Sequence, residues 1–268
     1  MWLIGDSLSK KGHDVTIAAV KGSTPPNPNV KIIETVDIEA GQGYQENTAL
    51  EFYGSKIKDF DLIHDHSHSK FASYYIKDND LKVAYLPTVH NMSTIAYPIR
   101  KPSIVCLSQS HADYIERRHG YKCKYVHNGL RVSDFRPVIK WKLKSDRYFI
   151  CGRPNSEKCL LEAIDICKKV DAPCDVVAGR LSVEPTDYCL KVAQSCTFGS
   201  PWAYRGQLSH EDKNKIMARS RATLITYGGR DSRNWYSEPF GLVAAESLLV
   251  GTPVIGYDCG AFKEIVRH

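Results

Sequence analysis

No apolar stretch in this 268-residue chain reaches the ~18 residues that a membrane-spanning helix requires. No run of five basic residues occurs, so nothing in the sequence asks for nucleic acid. No Cys-x-x-Cys pair exists, which removes the usual spacing of a structural zinc site. No Gly-x-Gly-x-x-Gly follows a strand-like segment, and that sets aside a nicotinamide-dependent Rossmann enzyme. Repeats and low-complexity tracts are absent too. At the start, the basic residues follow the short apolar patch (MWLIGDSLSKK), the reverse of a secretory signal. Nine cysteines are present, an odd number, and Cys106, Cys123, Cys151, Cys167 and Cys174 fall inside strand-like or helix-like segments. Reduced, buried thiols of a cytoplasmic protein are the expectation, rather than a disulfide framework.

What remains is an ordinary globular composition, 43% hydrophobic and 25% charged, with a length that suggests about two domains. The net charge of +6 is spread along the chain. Such an excess suits an anionic small substrate such as a nucleotide diphosphate. It also suits an acidic inner membrane surface, which keeps peripheral membrane contact open as a partner. Strand-like and helix-like segments alternate almost throughout, the pattern of an α/β protein with mainly parallel sheets. Residues 131–146 (RVSDFRPVIKWKLKSD) are polar and basic and break that alternation. They read as a linker, which divides the chain into Rossmann-like domains at 1–136 and 137–268. In the second, a strand is expected at 147–151, a helix at 156–170, a capping box at Ser209 and Asp212, and a helix at 240–250.

Several positions carry chemistry. Glu238 lies in a loop, Pro239, Phe240 and Gly241 follow, and a helix then starts that ends near Gly251. A helix that begins at a glycine offers free backbone N–H groups and the positive end of its dipole to an anion. Glu246 stands on the second turn of that helix, so one carboxylate precedes it and the other lies beside it. An ionised carboxylate only accepts hydrogen bonds, and its two oxygens suit the vicinal hydroxyls of a sugar or ribose. Arg153 and Lys158 flank a second strand-to-helix turn (CGRPNSEK), with Asn155 or Ser156 as cap, where two cations and a helix N-terminus meet a diphosphate's needs. His90 ends a strand and is either a sugar-facing group or an ordinary loop histidine. The run His64-Asp65-His66-Ser67-His68 invites a metal reading, but a contribution to an acceptor pocket is the stronger expectation.

The string from Ser237 to Val254 (SEPFGLVAAESLLVGTPV), followed by Glu264-Ile265-Val266, resembles the signature of glycosyltransferase family 4. Arg153 and Lys158 resemble that family's GR-x4-KG element, with Cys159 where glycine is usual. Further likeness lies in LSKKGHDVTI, PTVHN, CLSQSHADYI and YVHNGLRVSDFRP, so the resemblance covers nearly the whole chain. It implies the GT-B fold, two Rossmann-like domains facing a cleft, and a retaining glycosyltransferase fed by a UDP-, GDP- or ADP-sugar. It further implies sugar contact by His90 and Glu238, ribose contact by Glu246, and diphosphate binding by Arg153, Lys158 and the Phe240–Val243 segment (the amides of Gly241, Leu242 and Val243). No Asp-x-Asp motif stands where a divalent ion would be needed, so neither metal nor cofactor is expected beyond the nucleotide-sugar donor. The acceptor is a glycan, a lipid or a small molecule. Family members begin with a strand and a glycine-rich loop ahead of the first helix here, and continue past Val266. Both domains are therefore expected to be incomplete relative to the family, with weak turnover. A non-catalytic sugar-nucleotide or glycan-binding remnant is the alternative.

Overall fold

The computed structural model describes residues 1–37, 46–92, 103–135, 139–179, 187–196, 199–227 and 238–267. Contacts divide the chain into two compact units, Met1–Gly129 and Leu130–His268. The boundary expected at 136/137 lies outside the described residues.

The first unit starts with helix α1 (Trp2–Lys10), then strands β1 (Val15–Ala19) and β2 (Val30–Glu34) and helix α2 (Glu46–Tyr53). After a 3-10 turn come β3 (Leu62–Asp65), α3 (Phe71–Asp78), β4 (Ala84–Pro87), β5 (Ile104–Cys106), α4 (Gln109–His119) and β6 (Cys123–Tyr125). Its strands pair in parallel as β1–β2, β3–β4 and β5–β6, with a single bridge from Thr88 to Val105. Helix α4 has a strong local reason to form. The Ser108 side chain accepts a hydrogen bond from the His111 N–H at 3.0 Å at one end, and Gly120 closes the other at φ +71°. Helix α3 lacks the first device, since Lys70 precedes it at φ 58° without a side-chain cap, and its other end closes in left-handed backbone on Asp80 at φ 47° rather than on a glycine, so the sequence reading passes over it.

The second unit contains β7 (Tyr148–Gly152), α5 (Leu160–Lys169), β8 (Cys174–Ala178), α6 (Asp187–Gln194) and β9 (Trp202–Gly206). It continues with α7 (His210–Arg219), β10 (Thr223–Ile225), α8 (Leu242–Leu249), β11 (Val254–Gly256) and α9 (Phe262–Ile265). Five parallel strands form one sheet in the order β11-β10-β7-β8-β9. Alternate residues of each strand point to opposite faces, and both faces are covered. Ile150 and Val176 pack with Leu160, Ile164 and Val192 on one face, while Phe149 and Val177 pack with Met217 and Val250 on the other. Every residue of β8 is buried, as a central parallel strand requires. Asp175 on β8 accepts from Arg147 Nε and from Arg205 Nε, both at 2.6 Å, a buried carboxylate held between two guanidinium groups. The helix expected over 156–170 is broken: a 3-10 turn, Ser156–Lys158, is separated from α5 by Cys159 in left-handed conformation.

The chain order of this sheet runs outward from β7 to β9, then restarts on the other side of β7 with β10. The switch point therefore lies between β7 and β10, and open α/β sheets bind ligands at such a point, outside the carboxyl ends of their strands.

Candidate active site

Four loops converge at that carboxyl edge. After β7, Asn155 caps the 3-10 turn by accepting the Lys158 N–H at 3.2 Å, which aims the lysine back across the sheet. Its ammonium meets Glu238 Oε2 at 2.5 Å and lies 4.3 Å from the centre of the Tyr227 ring. Tyr227 follows β10, and its hydroxyl donates to the Cys151 carbonyl at 2.9 Å, so the ring is pinned to β7. Lys158 is buried, with its charge offset by a carboxylate and a ring face. Two residues expected to serve one site, 80 positions apart in sequence, are thus brought together at the switch point.

Before α8 the chain turns at Gly241 with φ +89°, and Phe240 is buried beneath. Ala244 and Ala245 donate back to the Gly241 carbonyl at 3.0 and 3.2 Å. Among the described residues no acceptor faces the N–H groups of Leu242 and Val243. Two orphan donors and the helix dipole therefore point out beside the Lys158–Glu238 pair. Ser237, the first residue of the motif, lies outside the described residues.

Glu246, on the next turn of α8, does not stand alone either. Its Oε2 accepts from Lys213 of α7 at 2.6 Å, a partner that sequence reasoning missed. Lys213 lines a cavity of about 330 Å³ together with Cys151–Pro154, Val177–Gly179, Gln207 and Leu208. Arg153 is on that wall, exposed, and its guanidinium makes no ion pair among the described residues. Mainly apolar walls with the cations Arg153 and Lys213 at the carboxyl ends of β7, β8 and β9 leave room for a partly apolar ligand with an anionic end. Lys213 and Tyr227 carry no local motif, and only the sheet order places them there.

His90 belongs to the first unit. Its Nε2 lies 2.8 Å from His66 Nδ1, and His64 Nε2 lies 2.8 Å from Thr88 Oγ1. A second cavity of about 220 Å³ is lined by Glu46, His66, Ser67, His68, Lys70, Val89, His90 and Asn91. Burial, reinforced by the neighbouring cationic groups, pushes the His66 imidazole down to about 3. His90 is lowered first by desolvation of its ring and then by the Lys70 charge. Neutral imidazoles able to accept one hydrogen bond and donate another suit sugar hydroxyls. Lys70 is buried and donates to the carbonyls of Asp65 and Thr88, which fixes the loop between β3 and α3. Among the described residues no group of three His, Cys, Asp or Glu side chains converges as metal ligands would.

Known proteins give three findings. A family model described as "Glycosyl transferases group 1" matches residues 134–268. No curated protein matches the chain by sequence. Among solved structures, the chain is similar to AviGT4, a glycosyltransferase involved in avilamycin A biosynthesis. The TM-score is 0.67 at 20% identity, over 97% of this chain and 71% of that one. It is similar to HepE of Anabaena in complex with UDP and glucose, with TM-score 0.68 at 16% identity over 89% and 70%. The lipopolysaccharide outer core galactosyltransferase WaaB gives 0.59 at 13% over 90% and 69%. These structures share the mixed α/β GT-B architecture expected from the sequence.

Proposed function

The chain belongs to the glycosyl transferases group 1 family, and we propose that it transfers a sugar from a nucleotide-diphosphate sugar to an acceptor with retention of anomeric configuration. The Lys158–Glu238 pair beside the orphan amides of Leu242 and Val243 carries this reading. A glycosyl donor cleaves at the bond between anomeric carbon and phosphate oxygen, and its electron pair leaves with the diphosphate. Arg153, Lys158 and the α8 N-terminus stabilise that growing charge with preoriented dipoles and cations. The acceptor oxygen attacks from the same face, and its proton passes to the leaving phosphate, so no separate general base is required. Glu238 addresses the transferred sugar and Glu246 addresses the ribose. The bound UDP in the HepE structure supports a nucleotide-sugar donor for this fold.

UDP-, GDP- and ADP-sugars offered to the purified chain should raise its thermal midpoint for one base class, since a ligand bound only by the folded state stabilises it. Lys158→Ala should then lower transfer or donor hydrolysis by roughly 10²-fold while the protein stays folded. Unchanged turnover in that variant would refute the assignment, and binding without any turnover would leave only the donor-binding half of the proposal.

A further inference from the structure

Lys213 is the cation in this site that no motif announces. It sits in the first turn of α7, where the Ser209 hydroxyl accepts the Asp212 N–H at 3.1 Å and so fixes the direction in which the turn starts. From there its side chain crosses to α8. The ammonium meets Glu246 Oε2 at 2.6 Å, and the two side chains are only 16% and 12% exposed. Lys213 lies on the wall of the 330 Å³ cavity, next to Cys151 and Leu208. The Cys151 thiol is pushed up to about 11, chiefly by burial, and it feels the Lys213 charge and the Glu246 charge in opposite senses. Cys151 and Lys213 therefore share the cavity wall, and Glu246 is held to Lys213.

The charge around that pair matters. Glu238 and Glu246 would place two carboxylates beside the position a diphosphate takes, and like charges there would oppose binding. Each glutamate is instead matched by a lysine, which leaves Arg153 and the α8 amides as the net attraction. Glu246 Oε2 is occupied by Lys213, whereas Oε1 accepts no hydrogen bond among the described residues. A carboxylate held at one oxygen and open at the other is a directed acceptor for a hydroxyl.

Resting on the donor-site reading above, we infer that Lys213 is a positioning residue for nucleotide recognition: it orients Glu246 so that Oε1 reads a ribose hydroxyl, and it keeps that carboxylate compatible with a nearby diphosphate. Lys213 itself takes no part in bond breaking. Its removal leaves a half-buried carboxylate without a partner, free to turn and electrostatically hostile to phosphate.

The test is calorimetric titration of the full chain with UDP, GDP and ADP, then of the tightest binder against its 2′-deoxy counterpart. Wild type should prefer the ribonucleotide by about tenfold or more, the size of one hydrogen bond to a charged group. In Lys213→Met the ribonucleotide should weaken by about tenfold and the preference should shrink to about twofold, while Lys213→Arg keeps the preference. Equal weakening of both nucleotides, with the ribo/deoxy ratio unchanged, would overturn the inference and leave Lys213 a structural residue. If Lys213→Met does not fold, Lys213→Met/Glu246→Gln removes both charges together, and a full ribo/deoxy preference in that protein would overturn it equally. Failure of wild type to bind any of the three nucleotides would instead strike the donor reading, and the inference would fall with it.

Discussion

Gly241 and Cys159 both adopt left-handed backbone, at φ +89° and 47°, and both stand at turns that face the proposed donor. At Gly241 the requirement is double. A Cβ there would sit 2.6 Å from Phe262 Cε1, in addition to the strain of a side chain in that conformation. Gly241→Ala should therefore destabilise the protein by about 2–4 kcal/mol and displace the start of α8. Cys159 bears the same strain without a clash, at the position where the motif it resembles has glycine. Cys159→Gly should stabilise by up to about 1 kcal/mol, because relief of the left-handed strain exceeds the added freedom of the unfolded chain. Urea unfolding of both variants checks the opposed signs, and a loss of stability in Cys159→Gly would contradict the account of that turn. The sequence made the odd residue visible, since Cys159 interrupts a recognisable string. It could not disclose that the misfit is one of backbone angle.

Among the elements, two histidines of the first unit, His66 after β3 and His111 on α4, respond to acid. His66 falls from the ordinary 6.5 to about 3 and His111 to about 4, in both cases mainly through burial. An unfolded chain takes up protons at these residues near 6.5, whereas the folded one resists until far lower pH. Stability is therefore full above about 6.5 and is lost as pH falls toward those folded values. Between pH 7 and pH 5 the His66 contribution should drop by about 1–2 kcal/mol, and His66→Gln should flatten the dependence by that amount. Parallel urea titrations at the two pH values measure it, and an equally steep fall in His66→Gln would contradict it. Element legibility varied for physical reasons. Helix α7 was readable because Ser209 carries its boundary in a side chain that accepts a backbone N–H. Helix α3 was not, because aromatic residues and an uncapped Lys70 conceal it. The helix expected at 156–170 was overdrawn because its apolar spacing runs straight through the Cys159 kink.

For the whole molecule, the α/β class followed from alternation, and the GT-B architecture from the strings around Arg153 and Glu238. Strand order did not follow, since the pairing of β10 with β7 joins segments about 75 residues apart and no local pattern encodes it. Yet that order creates the switch point where Lys158, Tyr227, Glu238 and the α8 N-terminus meet. It also explains why Lys213 and Glu246, 33 positions apart, share one ion pair. The same sheet positions the orphan amides on which the central claim rests. Amide-resolved hydrogen exchange of the folded chain, with and without the nucleoside diphosphate that raises its thermal midpoint, tests that claim most directly. Leu242 and Val243 should become strongly protected, because the diphosphate supplies the acceptors they lack. Unchanged exchange at both amides, with nucleotide bound, would contradict a donor site at the start of α8.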